Sequence, residues 1–146
     1  MNRLIKFINR AAANTGDWAL LAVRLTLAFG FFEPAVKKFD NISGTADWFA
    51  TMNFPLPTIS VFLTATFEFS GFFLLMLGLL TRYITIPLMV IMLVAIFAVH
   101  LGNGFAAGNN GFEIPFYYLV MLFVIFSKGP GRFSIDEAVV GKIKGK

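Results

Sequence analysis

Between Thr58 and Leu80 the chain runs for 23 residues with one ionisable side chain, Glu68. The hydrocarbon core of a bilayer takes a helix of roughly 20 residues, so this stretch reads as a membrane crossing. Three more apolar stretches, Trp18–Val36, Tyr83–Val99 and Ile114–Ser127, share the chain with it. At 146 residues and 58% hydrophobic composition, a soluble domain would leave too much apolar surface in water. Lipid must therefore be the solvent for most of it. The expected fold is all-α: a polytopic bundle of four transmembrane helices over 18–38, 58–80, 83–100 and 112–128, in a single domain. The fourth reaches spanning length only if Gly111–Glu113 and Lys128 sit at its edges.

Arg3, Lys6 and Arg10 precede the first apolar run, as in a secretory signal. That run contains Arg24 and Glu33 and offers no small-residue cleavage site, so we read it as a first spanning helix. Residues 3–12 are expected to form a separate amphipathic helix on the membrane surface, with Arg3, Lys6 and Arg10 on one face. Beyond the fourth crossing, Ser134-x-x-Glu137 has the spacing of a capping box. It should start a second interfacial helix, with Ile135, Val139, Val140 and Ile143 on its apolar face and Lys142, Lys144 and Lys146 toward anionic lipid. In the long first loop, "TADWFATMNF" suggests a short surface helix capped by Thr45, stopped by Pro55, with Pro57 starting the next helix.

Lysine and arginine counts orient the chain. Nine of the twelve fall in the two tails and the tight turn at Arg82, two (Lys37 and Lys38) in the first loop, and none in Val99–Pro115; Arg24 lies within the first helix. Both termini are expected in the cytoplasm. The same bias accounts for the net charge of +4, so nucleic acid is not an expected partner. The chain has no cysteine, which removes disulfides, thiolate chemistry and cysteine-based metal sites. Its one histidine, His100, rules out bis-histidine haem ligation within a single chain.

Charged groups at bilayer depth face other helices and have partners. Arg24, Ala28, Phe31, Ala35 and Lys38 form one stripe at 4-3-4-3 spacing. Thr64, Glu68, Gly71, Leu75, Gly78 and Arg82 form another. Counting residues from the outer helix ends separates Arg24 and Glu68 by roughly 6 Å in depth, which predicts an Arg24–Glu68 ion pair. Glu33 is expected to pair with Lys37 one turn on, and Pro34 to kink the first helix. In "VHLGNGFAAGNNGFEIP" (Val99–Pro115), His100 and Glu113 stand at the two mouths of a glycine-rich loop. The plain roles are His100 bonded to a loop carbonyl and Glu113 at a helix N-terminus. The sharper expectation is an outward pocket lined by Arg24, Lys38, Glu68, His100, Asn110 and Glu113. It would hold a quinone headgroup or a proton relay; haem or a metal ion suits this scattered set less well.

"RLTLAFGFFEPAVKKF" (Arg24–Phe39), "EFSGFFLLMLGLLTR" (Glu68–Arg82), His100 with "NGFEIP" (Asn110–Pro115) and "GPGRFSID" (Gly129–Asp136) follow one another in this order. Together they resemble the DoxX family of small four-helix bacterial membrane proteins, over nearly the whole chain. The matching positions are Arg24, Lys38, Glu68, Gly71, Gly78, Arg82, His100, Glu113, Gly129, Gly131, Arg132, Ser134 and Asp136. Ala28 and Ala35 stand where glycine is expected, which implies slightly looser packing, and Glu33 is particular to this chain. The resemblance implies a cytoplasmic-membrane protein under an oxidoreductase label. Some relatives are associated with thiosulfate:quinone oxidoreductase, some with a superoxide dismutase and sulfurtransferase complex, and others sit beside systems that mature metal-binding peptides. Two functions follow. One is a redox accessory subunit that binds quinone and takes its electrons from cofactors or partners. The other is a non-enzymatic anchor or assembly factor. The expected partners are the bilayer, redox or maturation proteins, and a second copy of the chain.

Overall fold

The structure is a computed structural model that describes the backbone of residues 2–144, and the side chains of 3–139 apart from 10, 11, 13 and 14. Six α-helices follow in order: α1 (Asn2–Asp40), α2 (Ile42–Thr51), α3 (Pro57–Leu77), α4 (Thr81–Val94), α5 (Glu113–Lys128) and α6 (Ile135–Lys144). A π-helical turn, Ala95–His100, and a 3-10 turn, Leu101–Asn103, prolong α4. Three segments are long and apolar enough to cross a membrane: Thr15–Asp40, Pro57–Leu77 and Thr81–Asn103. At 16 residues, α5 is shorter, about 24 Å.

The helices alternate in direction. Phe31 packs edge-to-face on Tyr118 at one level of α1, while Trp18, lower on α1, meets Phe133 beyond the end of α5. Aromatic pairs Phe29–Phe72, Phe32–Phe69 and Phe39–Phe62 fix the antiparallel register of α1 on α3. Between these two helices the buried stripe is small: Ala28, Ala35 and Ala65 are fully buried, which lets the backbones approach as membrane interfaces require. Gly71 serves α4 in the same way, since a β-carbon there would come within 2.9 Å of Leu88 Cδ1. Leu27, Phe31, Leu75, Leu88, Leu122 and Ile125 fill the core between the four long helices.

Two expectations about the first third of the chain are corrected. No separate surface helix precedes the first crossing, because α1 continues unbroken from Asn2 to Asp40. Nothing in "AAANTGDW" breaks it: there is no proline, alanine propagates helix readily, and the single Gly16 costs only about 1 kcal/mol. At 39 residues it measures about 58 Å, nearly twice the hydrocarbon thickness. The Arg10 face of that region, and the Val140, Lys142, Ile143, Lys144 and Lys146 positions of the C-terminal helix, lie outside the described side chains. The short helix of the first loop begins at Ile42 and its cap is Asn41, not Thr45: Asn41 Oδ1 accepts from Gly44 N at 3.0 Å. Thr45 instead donates its hydroxyl to Asn41 O at 2.8 Å. Pro57 does open α3, after Leu56 in the left-handed region at φ 46.

Helix α2 lies against the first turns of α3, where Ala46, Phe49 and Val61 form a second small core. The placement matters for register. Because α1 stops at Asp40 and Phe39 packs on Phe62, only about the first turn of α3 extends past it, and α2 packs there.

Candidate functional site

That offset decides which charges meet. Lys38, in the last turn of α1, faces the middle of α3, and its Nζ donates to Glu68 Oε2 at 2.7 Å. Arg24 lies fourteen residues earlier, about 21 Å down the helix, next to Gly78 at the far end of α3. The expected Arg24–Glu68 pair therefore does not form. It rested on α1 and the following spanning helix ending at one level, whereas α3 begins about a turn beyond the end of α1. The other ion pair expected from spacing, Glu33–Lys37, is present at 2.6 Å on the surface.

Glu68 is 3% exposed. It lines two cavities, of about 390 and about 370 Å³. The first lies among α2, α3 and α4, with Lys38, Ser60, Thr64 and Phe54 in its wall. The second lies among α1, α4 and α5, beside Gly30, Pro34 and Tyr118. Met92, Ala95 and His100 line both as well, so Glu68 and the π-helical turn stand where the two cavities adjoin. A π-helical turn displaces side chains from α-helical register and often marks a functional site. Here it brings Ala95, Val99 and His100 onto one cavity wall.

His100 Nδ1 lies 2.8 Å from Asn110 O. A carbonyl can only accept, so Nδ1 carries the proton and Nε2 is an acceptor in the neutral ring. Asn110 takes part through its backbone, which Asn103 Nδ2 also reaches at 3.2 Å; its side chain is not among the cavity residues. Glu113 is not in either cavity wall. Its Oε2 accepts from Ala107 N at 2.9 Å and its Oε1 from Tyr117 Oη at 3.1 Å, tying the loop to the start of α5. Gly111 lies so close to Gly104 O and Phe105 that a β-carbon would not fit, and Phe112 N and Glu113 N bond to Gly104 O and Phe105 O. The loop is thus a closed latch beside the cavities. Of the six expected pocket residues, Lys38, Glu68 and His100 are brought together; Arg24, Asn110 and Glu113 serve elsewhere. Ser60 and Thr64 were legible as lining, since they continue the Glu68 stripe at four-residue spacing. Trp48 and Phe54 were not, because their place depends on how α2 folds back.

The second centre is at the other end of the bundle, and its job is closure. Arg24, 1% exposed, donates Nη1 to Pro130 O at 3.0 Å and Nη2 to Phe133 O at 2.7 Å. Asp136 accepts from Leu80 N and Thr81 N at 2.8 and 2.9 Å, capping α4 from a distant segment, while its own N–H reaches Gly78 O. Ser134 Oγ accepts from Glu137 N at 3.2 Å, the forward half of the expected capping box. Gly129 and Gly131 have φ of +87° and +79°, values that suit glycine. Arg132 N donates to Asp17 Oδ1 at 3.0 Å, and Arg82 Nη2 reaches Ser127 O at 3.4 Å. "GPGRFSID" therefore ties α1, the α3–α4 turn and the end of α5 into one knot around Arg24. Among the described residues no three of His, Asp or Glu are grouped so as to hold a metal ion.

The sequence profile of DoxX matches residues 19–101. The chain belongs to the DoxX family. An uncharacterized protein of Haemophilus influenzae (strain ATCC 51907 / DSM 11121 / KW20 / Rd) is 30% identical to it, over 83% of each chain. No solved structure matches it. The matched DoxX span holds Arg24, Lys38, Glu68, Gly78 and His100, which include both the ion pair of the cavities and the arginine of the knot.

Proposed function

We propose that this DoxX protein is a four-crossing inner-membrane subunit that binds a small amphipathic ligand, a quinone headgroup, beside Glu68. In this reading α5 is the fourth crossing, with Phe112 and Lys128 at its edges. The lysine and arginine bias puts both termini in the cytoplasm and the cavities toward the outer face. The observation that carries the proposal is the Lys38–Glu68 pair. Two charges held at bilayer depth cost several kcal/mol to desolvate, and Arg24 and the "GPGRFSID" knot already hold the helices together without them. A buried acid adjoining two cavities of ligand size, with an imidazole in the same wall, is the default arrangement of a binding centre. Electrons would come from a partner, since the chain has neither cysteine nor a second histidine.

The test is gentle extraction of the native complex and mass spectrometry of what comes with it. A quinone at near-equal stoichiometry, lost from Glu68→Gln and kept by Glu33→Gln, supports the proposal. Partner proteins with no bound small molecule would move the reading to a non-enzymatic anchor.

A further inference from the structure

The polar groups of the larger cavity have an uneven hydrogen-bonding sense. Ser60 Oγ already donates to Pro55 O at 2.8 Å, and Thr64 Oγ1 to Ser60 O at 2.6 Å. Both hydroxyls have spent their protons and can only accept. His100 has spent its Nδ1–H on Asn110 O, which leaves Nε2 as an acceptor in the neutral ring. Glu68 uses Oε2 for Lys38, and among the described residues Oε1 accepts no hydrogen bond. It is a carboxylate oxygen on a residue 3% exposed, without a partner. Against these four acceptors stand the remaining N–H of Lys38 and the indole N–H of Trp48, which is half-exposed at the rim.

We infer that the larger cavity selects an amphiphile whose headgroup donates hydrogen bonds, a dihydroxy-aromatic headgroup in preference to the corresponding dicarbonyl. The inference rests on the proposed binding site and sharpens it: of a quinone couple, the reduced member is the one held. A dicarbonyl placed here meets oxygen and imine lone pairs and gives no proton to Glu68 Oε1 in the cavity wall. A dihydroxy ring gives one proton to Glu68 Oε1 and can give the other to His100 or Thr64. The rest of the molecule has a way out. The exposed members of the lining are Trp48, Pro55, Val90 and Val94, and the two valines lie on the lipid-facing side of α4. The mouth between Trp48 and Pro55 on one side and α4 on the other thus opens to the bilayer, where an apolar tail remains in lipid while the headgroup reaches Glu68.

The experiment uses the full chain in nanodiscs, without oxygen, with Trp18→Phe so that fluorescence reports Trp48 alone. A short-chain benzoquinone, its hydroquinone and the hydroquinone dimethyl ether are titrated separately. The hydroquinone is expected to bind at least tenfold more tightly than either of the others. Glu68→Gln is expected to reduce hydroquinone binding at least tenfold and to abolish its preference over the quinone. The dimethyl ether comparison uses the unaltered site, so it stands even if Glu68→Gln fails to fold. A quinone that binds as well as the hydroquinone overturns this inference while the site survives. If none of the three binds, the site itself is wrong.

Discussion

Gly78→Ala is the substitution on which the knot can be judged. Gly78 has φ +67° and closes α3 in the left-handed region. A β-carbon built there would overlap Arg24 Nη1 and lie 2.5 Å from Ser134 Cβ. The backbone term alone is about 1–2 kcal/mol for an L-residue. Arg24 has no room to yield: it is 1% exposed, its two terminal nitrogens are committed to Pro130 O and Phe133 O, and its Nε is buried with no partner. Losing one of those charged hydrogen bonds adds about 1.5–3 kcal/mol. The expected total is roughly 3–5 kcal/mol. Gly104→Ala, with positive φ (+77°) and open space around it, measures a backbone penalty without a clash, and a larger one than at Gly78, because its ψ of −164° lies in a region almost confined to glycine. Unfolding by sodium dodecyl sulfate in mild detergent, followed by circular dichroism, would measure both. In the Arg24→Met background the clash with the guanidinium is gone and only that with Ser134 Cβ remains, so the two substitutions should fall short of additive. If Gly78→Ala costs no more than the backbone term of about 1–2 kcal/mol, or the two changes simply add, the packing argument is refuted.

Other consequences can be checked in the same system. Lys38→Met or Glu68→Gln alone should cost about 3–5 kcal/mol by stranding a buried charge or its partner, and Lys38→Met with Glu68→Leu should recover most of it; equal losses in single and double variants would argue against the pair. Asp136→Ala should cost about 1–2 kcal/mol through the uncapped start of α4, read by faster hydrogen exchange at Leu80 and Thr81. Glu33→Gln, by contrast, should shift the unfolding midpoint imperceptibly, since its lysine partner is an exposed surface pair. The absence of cysteine makes topology easy to measure: Gly102→Cys should react with a membrane-impermeant maleimide in intact spheroplasts, and Thr15→Cys and Glu137→Cys only after lysis. Opposite labelling of Thr15→Cys and Glu137→Cys would mean an odd number of crossings.

Much of the helix packing was legible. The two 4-3-4-3 stripes do point inward for most of their length: Arg24, Ala28, Phe31 and Ala35 are buried on α1, and Glu68, Gly71, Leu75 and Gly78 along α3, while Arg82, the last member of the second stripe, is exposed on α4. Periodicity reports which face of a helix is inward, and composition reports which face is small. Neither reports axial offset. The residue count that matched Arg24 to Glu68 assumed a common outer level, and α3, which begins about a turn beyond the end of α1, broke that assumption. His100 was placed correctly on a loop carbonyl because local spacing determines such a contact. Glu113 does begin α5, but its carboxylate turns to Ala107 N and Tyr117 Oη rather than to a cavity, since a glycine-rich loop folds back on itself through backbone pairing that no side-chain pattern records. "GPGRFSID" showed its turn and its cap in sequence, but the use of Asp136 to cap α4, 55 and 56 residues away, depends entirely on tertiary closure.

The central claim is that the carboxylate paired with Lys38 is where a ligand binds. Infrared difference spectra of the reconstituted protein, with and without a short-chain hydroquinone, address it at the level of that one group. The account predicts a carboxylate band that changes on ligand addition, vanishes in Glu68→Gln and persists in Glu33→Gln. A spectrum in which no carboxylate responds, or in which the response survives Glu68→Gln, would contradict it.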